Sequence, residues 1–172
     1  MIKDISNYNN INDYLPILNA VLFTDLFVII LLNSNIIKSE VLRKWYSDFN
    51  LLAIIADVLI IVLVLIITRA IYYKIFTKFS IINFIILAVI IQIIHDILFY
   101  ILFTIIPRGN NKIIDIFKDY AIEISFYAII ADSCMIIMSC LLAYYFVNIS
   151  INTNIIILIV LIYSIPYLIN NY

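Results

Sequence analysis

The amino-acid sequence predicts an all-α integral membrane protein, and two observations support this: its composition and its long apolar runs. Hydrophobic residues make up 66% of the 172 residues and charged residues only 12%, and the mean hydropathy is +1.17. A soluble domain could not cover so apolar a chain with polar surface. The apolar runs are continuous and lack the alternation of membrane-spanning strands, so they favour a helical bundle.

Five of these runs are long enough to be transmembrane helices, because about 20 helical residues cross the roughly 30 Å hydrocarbon core of a bilayer. They cover residues 14–32, 51–73, 79–106, 121–146 and 155–169. The third run stops before Pro107, and the polar connector that follows holds Gly109, the only glycine. Five spans with short connectors use up the chain, so we expect residues 1–172 to form a single transmembrane domain.

The segment IIKSEVLRKWYSDFN, residues 36–50, separates the first two runs and is too polar to span a membrane. Apolar residues are interleaved with its charges, which is typical of a helix that lies in the membrane interface. We therefore predict one interfacial helix here. Trp45 and Tyr46 are expected to anchor it among the lipid headgroups, where Trp and Tyr are enriched.

The pentapeptide AIIAD occurs at residues 53–57 and again at residues 128–132, an offset of 75 residues. Chemically similar pairs precede it at the same offset: Leu42 and Phe117, Arg43 and Lys118, Trp45 and Tyr120, Asp48 and Glu123, Asn50 and Ser125. The helices that follow the two copies agree only in hydrophobicity. The pattern indicates a two-helix repeat with units 41–106 and 116–169, and a chance match in so isoleucine-rich a chain is the alternative.

Four aspartates lie inside the predicted spans. We define side A as the membrane face at which the first span begins and side B as the opposite face. At about 1.5 Å of rise per residue, Asp57 and Asp132 lie in the first part of their helices, on side B, and Asp25 and Asp96 lie about two to three turns before their helices end there. A carboxylate that faced lipid would cost about 2.5 to 3.5 kcal/mol, so we expect all four to point into the bundle.

The third span offers polar neighbours to its aspartate. Gln92, Asp96 and Tyr100 follow one another at four-residue steps on one helix face, with His95 beside them. We expect Asp96 to share hydrogen bonds with both Gln92 and Tyr100 and to be the most constrained of the acids. Lys and Arg are missing at this depth, and Arg69 is expected near the opposite face.

Three interpretations of these groups stay open. The small and polar residues of the spans could simply hold the helices together by hydrogen bonds, as in ordinary membrane bundles. Uncompensated acids in a membrane could instead form a proton or cation site. Its candidate residues are Asp25, Asp57, Asp96, Asp132, His95 and Gln92. A metal site at His95 and the aspartates is the weakest interpretation, since adjacent helical residues point in different directions.

The sequence excludes several classes of protein. The spans contain no glycine to flank an intramembrane protease aspartate, and metalloprotease motifs, Ser/His pairs and glycine-rich phosphate loops are absent. We therefore predict a protein that is not an enzyme, with no catalytic residue, no metal and no cofactor. The net charge of −1 argues against a nucleic-acid partner, so the expected partner is the lipid bilayer.

Four stretches together resemble a viral group. LRKWYSDFNLLAIIADVLIIVL, FIILAVIIQIIHDILFYILF, PRGNNKIIDIFKDYA and AIIADSCMIIMSCLLAYY, in this order, are similar to uncharacterised multi-span membrane proteins of nucleocytoplasmic large DNA viruses of the mimivirus and phycodnavirus kind. The resemblance covers roughly residues 41–169. It implies a structural protein of the virion's internal membrane or of the assembly-site membrane, with viral capsid or membrane proteins, or further copies of this chain, as partners. A proton or cation channel or transporter is the alternative function.

The basic residues also predict an orientation. Side B holds six of them and side A holds four, and cytoplasmic segments carry the excess of Lys and Arg. Side B and the C-terminus are therefore expected in the cytoplasm. The glycosylation sequon Asn148-Ile149-Ser150 falls on side A, which fits the lumenal face of a host membrane derived from the endoplasmic reticulum.

Overall fold

A computed structural model describes residues 3–170, and this part of the chain folds into seven α-helices without any β-strand. In chain order the helices are α1 (Tyr14–Asn33), α2 (Glu40–Phe49), α3 (Leu51–Ile75), α4 (Ile81–Ile105), α5 (Lys112–Ile124), α6 (Tyr127–Phe146) and α7 (Ile151–Ile169). A short 3-10 turn, Ile11–Asp13, leads into α1. The predicted all-α class is confirmed.

Five helices of the described range, α1, α3, α4, α6 and α7, are long and apolar enough to cross a membrane. Their outward faces carry large exposed apolar side chains, such as Leu59, Ile94 and Ile159 at 57%, 53% and 61% exposure. Water would make such a surface costly, whereas lipid tails solvate it. The protein is therefore a multi-pass membrane protein in contact with the bilayer.

Helix α1 lies at the centre of the bundle, packed against α3, α6 and α7. Polar side chains join it to its neighbours inside the apolar interior. Asn19 Nδ2 donates to the backbone oxygen of Asn154 in α7 at 2.8 Å, and Ser139 Oγ of α6 donates to Thr24 Oγ1 at 3.1 Å. Each such bond ties two spans together where water is absent, as is usual in membrane bundles.

The predicted start of the fourth span, at residue 121, is wrong. Residues 112–124 form α5, a second amphipathic helix, and the span α6 begins only at Tyr127. Asn111 starts α5 by accepting hydrogen bonds from the backbone N–H groups of Ile113 and Ile114 at 2.9 and 3.3 Å. The break between α5 and α6 lies at Ser125, whose φ is 56°. The apolar residues of α5 are followed directly by those of α6 in the sequence. The prediction of a single interfacial helix therefore missed α5.

The two junctions between a short helix and a span have the same backbone geometry. Asn50 lies between α2 and α3 with φ 48° and ψ −123°, and Ser125 lies between α5 and α6 with φ 56° and ψ −135°. Non-glycine residues rarely adopt this region. These positions are 75 residues apart, like the two AIIAD pentapeptides. The following helices differ, because α4 packs against α3 whereas α7 packs against α1, and the full two-helix repeat stays a prediction.

Helices α2 and α5 pack against each other on side B. The rings of Trp45 and Phe117 lie 5.1 Å apart between centroids, and Glu123 Oε2 accepts a hydrogen bond from the backbone N–H of Val41 at 2.9 Å. We call this pair of helices the side-B cap. It covers the end of the bundle that contains the four aspartates.

The opposite end is closed around a buried guanidinium. Arg69 of α3 is 1% exposed, forms an ion pair with Asp13 at 3.3 Å and donates to the backbone oxygens of Asn7 and Asn10. Its guanidinium carbon also lies 4.5 Å from the centre of the Tyr14 ring. These contacts hold the polar segment that precedes α1 against side A of the bundle.

We predict that Arg69→Met lowers the stability of the folded protein by about 3 kcal/mol, because removing one partner of a buried ion pair leaves the other charge unpaired. The measurement is thermal unfolding in detergent together with limited proteolysis of the N-terminal segment. Lys74→Met, which removes an exposed cation from the same helix, is the control and should have little effect. Equal stability of the two variants would contradict the prediction.

Candidate functional site

Two of the candidate aspartates meet at one tyrosine. Tyr46 Oη of α2 lies 3.0 Å from Oδ1 of Asp25 in α1 and 3.1 Å from Oδ2 of Asp57 in α3. Trp45 Nε1 donates to the same Oδ2 at 2.9 Å. The short helix α2 therefore supplies two donors to carboxylates that belong to two different spans.

The number of hydrogens available to Tyr46, Asp25 and Asp57 indicates which of the two carboxyl groups is protonated. Burial, and then the nearby Asp25 and Asp57 carboxylates, raise the pKa of the Tyr46 phenol well above its ordinary range, so the phenol keeps its single hydrogen. One hydrogen cannot serve two carboxylates, so one of the two carboxyls must itself donate. Asp57 already accepts from Trp45, whereas Asp25 is fully buried and its Oδ2 has no partner among residues 3–170. The geometry favours a protonated Asp25 that donates to Tyr46, which in turn donates to Asp57.

A second cluster forms on α4. Asp96 Oδ1 accepts from Gln92 Nε2 at 2.6 Å and lies 3.3 Å from His95 Nδ1. The expected hydrogen bond to Tyr100 is wrong, because that side chain is 55% exposed and forms no side-chain bond to Asp96. Within the described chain, Asp96 Oδ2 and Gln92 Oε1 are buried acceptors without a donor.

Asp132 of α6 differs from the other three acids. It is partly exposed, and its carboxylate forms no hydrogen bond or ion pair with any side chain of residues 3–170. A carboxylate without a protein partner in this position is available to a proton, water or ligand.

These groups line one large crevice in the side-B half of the bundle. Its volume is about 820 Å³, and it lies between α1, α3, α4 and α6 beneath the side-B cap. Asp57, Asp96 and Asp132 line it together with Gln92 and His95. Asp25 alone among the candidate residues does not reach it and lies behind Tyr46. The crevice lining contains no Lys or Arg.

The walls of the crevice are mainly apolar and aromatic. The aromatic lining residues from α2, α4, α5 and α6 include Trp45, Phe99, Phe103, Phe117, Tyr120 and Tyr127. Burial, followed by the nearby Asp132 carboxylate, raises the pKa of the Tyr120 phenol, so that group stays neutral. Tyr100 and Tyr127 are 55% and 61% exposed, so the crevice opens to the surface of the molecule along α4 and α6.

Sequence reasoning missed the two donors of α2. Trp45 and Tyr46 are 4% and 1% exposed, so their expected role as headgroup anchors is wrong. Aromatic residues in an interfacial helix usually face the headgroups, but here two buried carboxyl groups require hydrogen-bond partners and α2 turns both side chains inward. The signal in the sequence was that neither Asp25 nor Asp57 has a donor one turn away in its own span.

The crevice acids do not converge on a single point. No three His, Cys, Asp or Glu side chains of the described chain lie close enough together to hold a metal ion. The acidic groups are instead distributed along the crevice on three different spans.

Models of known protein families give no match to this chain, and neither curated proteins nor solved structures match it. The expected likeness to viral membrane proteins stays a prediction of the sequence.

We predict that Tyr46→Phe destabilises the protein by about 1 to 3 kcal/mol, because Asp25 loses the only hydrogen-bond partner it has among residues 3–170 and stays buried. Asp25→Asn should be tolerated, since the amide can donate to Tyr46 in place of the carboxyl proton. Thermal unfolding in detergent measures both. Tyr145→Phe, on the exposed face of α6, is the matched control. If Asp25→Asn lowered the stability as much as Tyr46→Phe does, the assignment of the proton to Asp25 would be contradicted.

A second prediction concerns Asp96. Asp96→Asn should cost little stability, because the amide oxygen still accepts from Gln92. Asp96→Leu leaves the Gln92 amide buried without an acceptor, so we expect a loss of about 1 to 3 kcal/mol. Thermal unfolding of both variants and of the wild type in detergent measures the difference in stability. Equal stability of the Asn and Leu variants would mean that the contact with Gln92 does not stabilise the protein.

Proposed function

We propose that this protein is a multi-pass membrane transporter that carries protons or other cations through the crevice. The observation that supports the proposal is the lining itself: carboxylates from α3, α4 and α6 share one crevice that contains no Lys or Arg. Acids without basic partners inside a membrane are by default sites for protons or cations.

The energetics of the lining support cation binding. Ionised carboxylates in a medium of low dielectric constant repel one another and lose hydration. A proton or a cation in the crevice offsets both costs. Asp132 lines the crevice and forms no hydrogen bond or ion pair within residues 3–170, so a bound cation meets a carboxylate that is not already engaged.

The Tyr46 bridge offers a route for protons. Asp25 can pass its proton to the phenolic oxygen while Tyr46 passes its own hydrogen to Asp57, which leaves Tyr46 unchanged and moves one proton from the buried acid to the crevice acid. The two oxygen-to-oxygen distances, 3.0 and 3.1 Å, are hydrogen-bond distances. Asp25 then acts as a proton store behind the crevice.

The position of the crevice favours a carrier over an open pore. Its lining comes from the side-B halves of the spans, whereas Tyr72 and Phe84 fill the side-A half at 0% and 1% exposure. A cation bound in the crevice is thus closed off from side A by packed side chains. A carrier would release it there only after a change in helix packing.

The structural role in a viral membrane, and the cytoplasmic location of side B and the C-terminus, remain predictions of the sequence. The crevice favours a proton or cation transporter, which is the alternative function predicted from the acids in the spans.

The transport proposal is tested with purified protein in liposomes that contain a trapped pH-sensitive dye. Wild-type protein should move protons, and Asp57→Asn and Asp132→Asn should reduce the rate about tenfold or more, since one charge-assisted interaction exceeds the 1.4 kcal/mol that corresponds to tenfold. Asp48→Asn removes an exposed acid of α2 and should leave the rate unchanged. Thermal unfolding of each variant shows that it is folded. Absent flux, or equal flux in all variants, would refute the proposal.

A further inference from the structure

We infer that the crevice binds an organic cation with an apolar body, namely an amine that carries aromatic or alkyl groups. This inference rests on the proposed function and names the class of cargo. Its basis is the combination of crevice size, apolar walls, unpartnered acceptors and uncompensated negative charge in one place.

The size of the crevice is far beyond what a proton or a bare metal ion requires. Its volume of about 820 Å³ falls within the roughly 300 to 1,000 Å³ typical of pockets for small organic molecules. The described acids and histidine do not form a group of three that could hold a metal ion. An organic molecule fits this space and an inorganic ion does not fill it.

The walls favour an apolar and aromatic body. Trp45, Phe99 and Phe117 line the crevice beside aliphatic residues of α1 and α3. Burial of apolar ligand surface against such walls is favourable, and aromatic faces also attract a cation placed over them.

The polar atoms favour a ligand that donates hydrogen bonds. Gln92 lines the crevice and is 3% exposed, yet its Oε1 has no donor within residues 3–170. Oδ2 of Asp96, one helical turn away, also has no donor within these residues. An ammonium group supplies hydrogens only, so a cation that bears N–H groups matches a lining whose polar atoms include acceptors without donors.

The charge of the lining decides against a phospholipid as the occupant. Lys and Arg are absent from the residues that line the crevice, so a lipid phosphate would find no partner and would face three carboxylates instead. The same charges attract a cation. The opening along α4 and α6 gives an amphipathic cation a route from the bilayer.

The probe that tests this inference is dansylcadaverine, a primary amine attached to an aromatic fluorophore whose emission reports an apolar surrounding. We expect saturable binding to the full chain in lipid nanodiscs. Its N-acetyl derivative, which is neutral, and the analogue that ends in a carboxylate should bind about tenfold or more weakly, because each lacks the charge-assisted bonds to the crevice carboxylates. Empty nanodiscs measure partition into lipid.

Two variants locate the binding site. Asp132→Asn should weaken binding of the amine about tenfold or more, and it should fold normally because Asp132 has no hydrogen-bond partner to lose. Ala131→Trp leaves every charge in place but adds bulk at a residue that lines the crevice and is exposed, so it should also weaken binding. Asp48→Asn is the control with an intact crevice and should bind as the wild type does.

Two results would overturn the inference. Equal affinity for the neutral derivative would mean that an uncharged apolar molecule, such as a lipid chain, occupies the crevice. Equal affinity in all variants would mean that the dye only partitions into lipid. Dye binding without any flux in liposomes would refute the transport proposal but would leave this inference standing. Proton flux without dye binding would support the transport proposal and refute this inference.

Discussion

The hydrogen bonds of Tyr46 are the interaction on which the side-B half of the molecule depends. Asp25 and Asp57 lie on different spans, and no basic side chain of the described residues pairs with them, so a hydroxyl from a third helix must satisfy both. A buried carboxyl without a partner would cost several kcal/mol. The need for donors therefore fixes where α2 sits and turns Trp45 and Tyr46 away from the headgroups.

The position of α2 in turn shapes the crevice. With α2 held against α1 and α3, α5 packs on it through Trp45 and Phe117, and the two short helices cover the side-B end of the bundle. The space beneath them is bounded by α4 and α6, which carry Asp96 and Asp132. Asp25 and Asp57 thus belong to the Tyr46 bridge, and Asp57 also lines the crevice. Asp96 and Asp132 line the crevice without belonging to the bridge.

The buried charged groups have different partners at the two ends of the bundle. On side A the buried cation Arg69 is paired with Asp13 and donates to backbone oxygens. On side B none of the four span aspartates is paired with a Lys or Arg of the described chain, and a crevice is present. A matched ion pair stabilises one arrangement, whereas unmatched acids leave room for protons or cations to bind and leave.

The sequence by itself determined the number of spans and the half of the bilayer in which the acids lie, because hydropathy and helical rise are local properties and a helix satisfies its own backbone. It did not determine the break at Ser125, the inward turn of Trp45 and Tyr46, or the missing bond between Asp96 and Tyr100. Those features depend on how each helix is rotated about its axis and which helix lies beside it. Contacts between distant residues decide both, so only the tertiary structure could reveal that one tyrosine joins Asp25 to Asp57.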